Sequence, residues 1–343
     1  MALRDLTLEI TRKCPMSCKL CSSNGGEPYD PEFTFEELKE IVDQAKELGV
    51  AEISLSGGEP FTCPFLSDLC RYISDLDIDV FIFTSGNYFN EYGTVSSITL
   101  NKFNELKECG AKKIVFSLHG SNSDIHDKMT RKLGSFNNLL QSIENAQKVN
   151  LEVEVHVVPV KDNLNDVSLI ANLLEKIGVK SLHLLRFVPQ GRGEQYKDEL
   201  ELTDSELSHF KETLFNIMKT SPIDITLGAH FSSLQLTNKH CTAGIAKAAI
   251  RPDGYVFPCV GMKNINHIGN INNIRDNSLS YILCNSDIFI SSRKTLLNRK
   301  SFVCLAQNLL KPQNRKIESV VAVTASKSDT HKTEICHICK TEV

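Results

Sequence analysis

Three cysteines crowd one short stretch near the start of the chain, Cys14-Pro-Met-Ser-Cys18-Lys-Leu-Cys21. Thiolates spaced by four and then three residues can wrap a compact loop around a cubane iron–sulfur cluster. Each would hold one iron, and the fourth iron would stay open to an outside ligand. Zinc is the alternative, and it wants a fourth Cys or His nearby. None lies between Cys21 and Cys63, which favours the cluster. A second stretch, Ser56-Gly57-Gly58-Glu59-Pro60, joins two glycines to a carboxylate. Paired glycines let backbone approach a ligand closely, and a carboxylate can accept hydrogen bonds from an ammonium group. Taken alone, the same residues also make an ordinary turn.

Other cysteines are spread along the chain, twelve in 343 residues. Cys241, Gly254 and Cys259 follow one another with twelve and then four residues between them. The text Ile250-Arg-Pro-Asp-Gly-Tyr-Val-Phe-Pro-Cys259 predicts a hairpin turning at Pro252-Asp253-Gly254. Such a hairpin would bring Cys241 and Cys259 together. Cys336-His-Ile-Cys339 offers a further thiol pair, and a hairpin pair with a distant pair also suits a zinc ribbon. Cys70 and Cys109, near expected helix ends, read as small buried hydrophobes.

Composition narrows the classes. With 41% hydrophobic and 23% charged residues the chain is an ordinary globular protein of about two domains. Lys plus Arg number 38 against 42 Asp plus Glu, a formal charge of -4, which argues against a nucleic-acid partner. No apolar run reaches the ~18 residues of a membrane span. Charges in Met1 to Thr11 occupy the place of a signal peptide's apolar stretch, so a cytoplasmic protein without a membrane partner is expected. In that reducing compartment twelve cysteines imply metal binding or catalysis rather than disulfides.

The elements that must carry these residues alternate. Leu6, Leu8 and Ile10 alternate with polar neighbours, the period of a half-buried strand. Thr34 and Glu37 form a capping box before an apolar helical face of Phe35, Leu38, Ile41, Val42, Ala45 and Leu48, with Gly49 as the stop. Further strands are expected at 51–56, 79–84, 113–118, 152–158 and 181–187, and helices at 64–75, 100–108, 136–147, 166–177 and 203–218. Gly49-Val50, Gly110-Ala111 and Gly178-Val179 repeat one helix-stop and strand-entry pattern. Six strands separated by helices imply parallel pairing with right-handed crossovers, too few for an eightfold barrel. An open or partial barrel is therefore expected. Thr7, Glu9, Ser54, Ser56, Ser117, His119, Glu154 and His156 give its strands a polar face, which suggests a wet cavity that holds a ligand, or strand ends facing solvent. The segment 190–203 is polar and contains glycine, the alternation fades beyond residue 220, and 311–333 reads as a linker. Domains of 1–220 and 221–343 follow.

The cysteine loop after strand one and Gly-Gly-Glu-Pro after strand two together resemble the radical S-adenosylmethionine (radical SAM) superfamily over most of the first 220 residues. The resemblance implies an α/β fold, a partial (β/α)6 parallel barrel, with a [4Fe-4S] cluster on Cys14, Cys18 and Cys21. SAM would chelate the open iron and be cleaved to a 5′-deoxyadenosyl radical that abstracts hydrogen from substrate. By the same resemblance Gly57, Gly58 and Glu59 would hold SAM's amino group, Leu20 would lie near the adenine, and Ser117 and Arg131 would meet the carboxylate. Leu20 departs from the aromatic residue often found there, and Arg131 equally suits a plain surface position. Cys241, Cys259, Cys336 and Cys339 resemble the ligands of SPASM and twitch extensions, implying a second, auxiliary [4Fe-4S] cluster. Cys284 and Cys304 have no assigned role. Cys63 would stand near the cavity mouth, where a thiol could return a hydrogen atom to a substrate radical, or be idle and buried. His240 is a loop histidine or an alternate ligand.

What such an enzyme acts on stays open. Relatives with SPASM extensions commonly oxidise, cross-link or epimerise peptides or proteins, though a barrel starting near residue 5 leaves no separate peptide-binding module ahead of it. A dehydrogenase of a small polar metabolite such as an amino sugar is the second reading. A non-enzymatic zinc or electron-transfer protein is the third. An oxidoreductase of this kind would draw electrons from a flavodoxin or ferredoxin.

Overall fold

The computed structural model describes residues 3–29, 31–228, 231, 240–265, 270–297 and 305–306. Strand β1 (Asp5–Thr11) leads through a long loop to α1 (Phe35–Glu47), then β2 (Glu52–Gly57), α2 (Leu66–Asp75) and β3 (Asp79–Thr84). A small hairpin, β4 (Asn87–Phe89) and β5 (Val95–Ser97), precedes α3 (Leu100–Glu108) and β6 (Ala111–Ser117). Next come α4 (Ser123–Thr130), α5 (Ser135–Lys148), β7 (Glu152–Val157), α6 (Val167–Lys176) and β8 (Ser181–Leu184). Short α7 (Arg192–Gln195) and α8 (Lys197–Leu200) lead to α9 (Asp204–Thr220) and β9 (Asp224–Leu227). The remainder holds β10 (Lys247–Ile250), β11 (Val256–Phe257), α10 (Leu279–Asn285) and α11 (Asp287–Leu297).

The capping box at α1 forms as its sequence dictates. Thr34 Oγ1 accepts from the Glu37 amide at 3.2 Å, and the Glu37 carboxylate accepts from the Thr34 amide at 2.7 Å. Leu38, Ile41, Val42 and Ala45 then bury one stripe against the sheet.

The six expected strands are β1, β2, β3, β6, β7 and β8, neighbours in that order and all parallel, so the partial barrel is confirmed. The sheet is wider than expected. β9 adds beside β8, and β10 pairs in parallel with β1 from Asp5↔Lys247 to Leu8↔Ile250. β9 was not legible as a strand, because Asp-Ile-Thr-Leu is too short for alternation to register without a neighbour; β10 was expected only as one arm of the C-terminal hairpin, not as a partner of β1. The hairpin β4–β5 escaped notice for the same reason as β9. Helix α4 was also missed, because its eight residues bury chiefly His126, Met129 and Thr130 and offer no strong apolar stripe.

Register decides which side chains share a face. Thr7 pairs with Ser54 and Glu9 with Ser56, while Val115 pairs with Glu154. Ser117, His156, His183 and Thr226 stand in one row across four strands. The alternate positions, Leu6, Leu8, Ile53, Leu55, Ile114, Phe116, Val155 and Leu182, belong to the buried core under the helices. The polar face expected of the strands is therefore the inner face of the sheet. There Lys113 bridges Glu152 at 2.9 Å and Glu154 at 3.1 Å, and His156 Nε2 meets Glu154 Oε1 at 2.5 Å. The His156 and His183 rings lie 4.9 Å apart, and His183 Nδ1 is 2.6 Å from Thr226 Oγ1.

The expected C-terminal hairpin exists, with Ala249↔Phe257 and Ile250↔Val256 antiparallel. Through β10 it is built onto β1 itself. Arg275 binds Glu37 at 2.7 Å and the Leu279 amide donates to Gln44 at 2.7 Å, seating α10 against α1. Deeper in, the ammonium of Lys263 donates to Glu9 and, at 2.5 Å, to Ser23 Oγ, which itself donates to Glu9 at 2.8 Å. Lys263 and Glu9 are 4% and 3% exposed by side chain, so neither charge has water to fall back on. Among the described residues no helix is long and apolar enough to cross a membrane. Cys304, Cys336, Cys339 and the expected linker at 311–333 lie outside the described residues.

Removing one member of a buried pair strands the other charge. Lys263→Met should lower stability by about 3 kcal/mol or more in urea unfolding. The Glu9→Gln/Lys263→Met double variant should lose less than the sum of the two single changes, because the stranded charge is gone.

Candidate cofactor site at the carboxyl ends of the strands

The cysteine loop leaves β1 at the carboxyl end of the sheet. It closes on itself: the Cys14 amide donates to the Gly26 carbonyl at 3.0 Å and the Gly26 amide to the Arg12 carbonyl at 3.0 Å. From α4 the carbonyls of Thr130 and Met129 accept from the Ser17 and Lys19 amides at 3.2 and 2.9 Å. Arg192 Nη1 and Nη2 donate to the carbonyls of Cys18 and Gly25 at 3.1 and 2.6 Å. Asn264, next to Lys263, donates to the Ser22 carbonyl at 2.5 Å. Three separate parts of the chain thus hold one loop through its backbone.

The sulfurs of Cys14 and Cys18 sit in surroundings that disfavour their charge. Burial, followed by the neighbouring Cys21, pushes the Cys18 thiol up to about 12, while Arg192 acts in the opposite sense. Burial and then Cys18 raise Cys14 well above the ordinary thiol range. Amides nevertheless point at the sulfurs, Met16 N–H to Cys14 Sγ and Gly25 N–H to Cys21 Sγ, both at 3.4 Å. Three thiolates can share this loop only if several positive charges enter with them. An iron–sulfur cluster brings such charges and takes one thiolate per iron, so the donor set fits it.

Gly57 and Gly58 are required by close approach. A Cβ on Gly58 would lie 2.4 Å from the Arg12 carbonyl oxygen and 2.3 Å from that of Lys13; one on Gly57 would lie 2.2 Å from the Thr11 oxygen. Their closeness lets the Gly58 and Glu59 amides donate to Thr11 and Lys13 at 2.7 and 2.8 Å, joining the β2 turn to the start of the cysteine loop. The Glu59 side chain is fully buried. One oxygen accepts from Thr84 Oγ1 at 2.7 Å and the Phe61 amide at 3.3 Å, the other from the Ser85 amide at 2.8 Å and Ser85 Oγ at 2.7 Å. All four acceptor positions of the carboxylate are thereby used, which makes Glu59 a tie between the β2 turn and the end of β3. Burial still outweighs those donors and lifts its pKa to about 7.

The remaining sequence candidates spread around this centre. Leu20 packs with Met129, Val160, Phe187 and Leu200. Ser117 is half-buried at the end of β6, paired with His156. Arg131 is exposed, caps α4 in the left-handed region at φ 57°, and donates to the Tyr196 hydroxyl at 3.1 Å. Cys63 belongs to the main apolar core, and burial pushes its thiol up to about 11. Cys241 and Cys259 pack against the same small apolar cluster. Cys70 and Cys109 are buried in the main core. Sequence reasoning missed Arg192, Lys263, Asn264, Thr84 and Ser85. Only Arg192 had a local signal, the glycines on either side of it.

A family model described as the radical SAM superfamily matches residues 8–174, and one described as an iron–sulfur cluster-binding domain, SPASM, matches residues 241–306. The chain is 26% identical over 311 residues to the AdoMet-dependent heme synthase of Methanosarcina barkeri, covering 84% of each chain. It is 25% identical over 303 residues to the sporulation killing factor maturation protein SkfB of Bacillus subtilis, covering 88% of this chain and 67% of that one. Among solved structures, Streptococcus suis SuiB bound to S-adenosylmethionine shares the fold with a TM-score of 0.70 at 15% identity, over 91% of this chain and 75% of that one. The chain belongs to the radical SAM superfamily. Within it, this is a member with a C-terminal SPASM domain, and with that membership go a [4Fe-4S] cluster, SAM and auxiliary iron–sulfur binding.

Glu59 gives a test of the tie. Its pKa in the folded chain lies above the unfolded value, so its contribution to stability is full below about pH 4.5 and is lost as pH rises through about 7. In chelator-treated protein, the unfolding free energy of the wild type relative to Glu59→Gln should fall by on the order of 3 kcal/mol between pH 4.5 and pH 8. A difference that stays flat across this range would mean that the four donors fully offset the burial of the carboxylate.

Proposed function

We propose that this radical SAM enzyme modifies a peptide or protein by oxidation, cross-linking or epimerisation. The observation that carries the reading is the row of Ser117, His156, His183 and Thr226 across the inner face of the sheet, towards the end that bears the cysteine loop. A barrel that serves only as scaffold fills its interior with branched apolar side chains. Donors and acceptors here suit a substrate rich in amides and hydroxyls. The similarity to SkfB, a maturation protein, and the shared fold with SuiB bound to its precursor peptide support a peptide.

When bound on Cys14, Cys18 and Cys21, the [4Fe-4S] cluster supplies the electron that cleaves SAM and so starts hydrogen abstraction. The chain's own part is position and shielding. The Gly58 and Glu59 amides fix the start of the loop, Leu20 and its apolar neighbours exclude water on one side, and Gly57, Gly58, Ser117 and Arg131 are the proposed contacts to SAM. His156 and Glu154 hold a proton between Nε2 and Oε1. Cys63 is proposed only as a reserve hydrogen donor, its burial in the core weighing for a packing role. A flavodoxin or ferredoxin is the proposed electron source.

A second reading, a small ionised metabolite as substrate, draws support from the charged group Lys113, Glu154 and His156 on the same face. The match to the heme synthase, even over 84% of both chains, also favours it. Anaerobic reconstitution with dithionite and SAM should release 5′-deoxyadenosine above a Cys14→Ala control. A short precursor reading frame beside the gene would favour the first reading, and its co-expressed peptide should lose two hydrogens or take up solvent deuterium by mass spectrometry. An unaltered peptide, with deuterium passing to 5′-deoxyadenosine from a labelled metabolite instead, would favour the second reading.

For the auxiliary cluster we propose Cys241 and Cys259 together with Cys336 and Cys339. The SPASM match ends at residue 306, and Leu305 and Ala306 pack in the cluster shared by Cys241 and Cys259, which supports an alternative set drawing on Cys284 or Cys304. The Cys14→Ala/Cys18→Ala/Cys21→Ala variant should keep iron under either set. Adding Cys336→Ala and Cys339→Ala should remove that iron under the first set and leave it under the second.

A further inference from the structure

We propose that Arg192 is a positioning residue for the cysteine loop, and that its charge raises the reduction potential of the cluster held there. The inference rests on the reading of Cys14, Cys18 and Cys21 as cluster ligands. Its observations are independent of that reading. The guanidinium spans the loop, from the carbonyl of Cys18 at 3.1 Å to that of Gly25 at 2.6 Å, and so ties a ligand residue to the point where the loop returns. Both acceptors are neutral, and no ion pair of Arg192 occurs among the described residues, so its charge is not cancelled by a carboxylate. Lys263, a buried cation beside this loop, is by contrast neutralised by Glu9.

The backbone around Arg192 is shaped for that approach. Gly191 has φ +60°, and a Cβ there would lie 2.8 Å from the Cys21 carbonyl oxygen and 2.6 Å from that of Ser22. The Gly193 amide donates to the Cys21 carbonyl at 3.3 Å. On the other side Gln190 Nε2 donates to the carbonyl of Val260, the neighbour of Cys259, at 2.7 Å. Gln190 to Gly193 is therefore a clasp between the cysteine loop and the C-terminal extension, with the arginine turned onto the loop.

Reduction adds one negative charge to a group already surrounded by thiolates. A nearby cation, half-withdrawn from water, stabilises the reduced form more than the oxidised one. The test is an EPR-monitored redox titration of the reconstituted full chain, following the signal that added SAM perturbs, for wild type, Arg192→Gln and Arg192→Lys. Arg192→Gln should carry wild-type iron but show a reduced-to-oxidised ratio about tenfold lower at a given potential, a midpoint about 59 mV more negative for one electron. Arg192→Lys should restore most of that shift. An unchanged midpoint in fully loaded Arg192→Gln overturns the proposal.

If Arg192→Gln folds but takes up no cluster, loading and a wild-type midpoint in Arg192→Lys support it. Arg192→Lys that is equally empty, or equally shifted, overturns the role of charge and leaves only the fork geometry. A wild-type protein with no SAM-sensitive signal would instead overturn the proposed function itself, so the two failures are distinguishable.

Discussion

Three sulfurs confined to one half-buried turn repel each other as anions, and at Cys14 and Cys18 burial adds to that cost. Much of the architecture around the site answers this constraint. The loop that carries them has no regular structure of its own, so its shape must come from outside. Carbonyls at the end of α4, the β2 turn, Arg192 and Asn264 each take hold of its backbone, leaving the sulfurs to a ligand. The glycines at 57, 58 and 191 are consequences of the same crowding, since a side chain at any of them would collide with a carbonyl of the first strand or of the loop.

The parallel sheet makes this convergence possible. Its loops leave from one end, so segments far apart in sequence meet there, as in other barrels of this type. Register then divides the strands into an apolar outer face under helices and a polar inner face. Glu59 shows how the two levels interact. Its carboxylate lies in the core below the turn, bound by Thr84 and Ser85, and spends its hydrogen-bonding capacity on aligning two strand ends.

The C-terminal extension is part of the same construction. β10 continues the sheet beyond β1, and Lys263 reaches Glu9 on β1 and Ser23 in the cysteine loop. A buried ion pair of this kind is poor evidence for net stability but fixes one arrangement, because any other leaves a charge unpaired. The extension and the primary cysteine loop are therefore held in one geometry, as electron transfer between two clusters would need.

Much of this was legible without coordinates. The cysteine spacing, the glycine pair with Glu59, the capping box at Thr34 and the six strands that alternate with helices are all local patterns, and local patterns are written in consecutive residues. β9, the hairpin β4–β5 and the pairing of β10 with β1 were not legible, because short strands are stabilised by their partners rather than by their own periodicity. Arg192, Lys263 and Asn264 were hidden for a related reason: each acts on residues some 170 to 254 positions away. Amino-acid order alone determined which chemistry the opening loop could hold and on what kind of scaffold. Tertiary structure decided which distant side chains brace that loop and where Glu59 spends its charge, since hydrogen bonds and ion pairs form between neighbours in space.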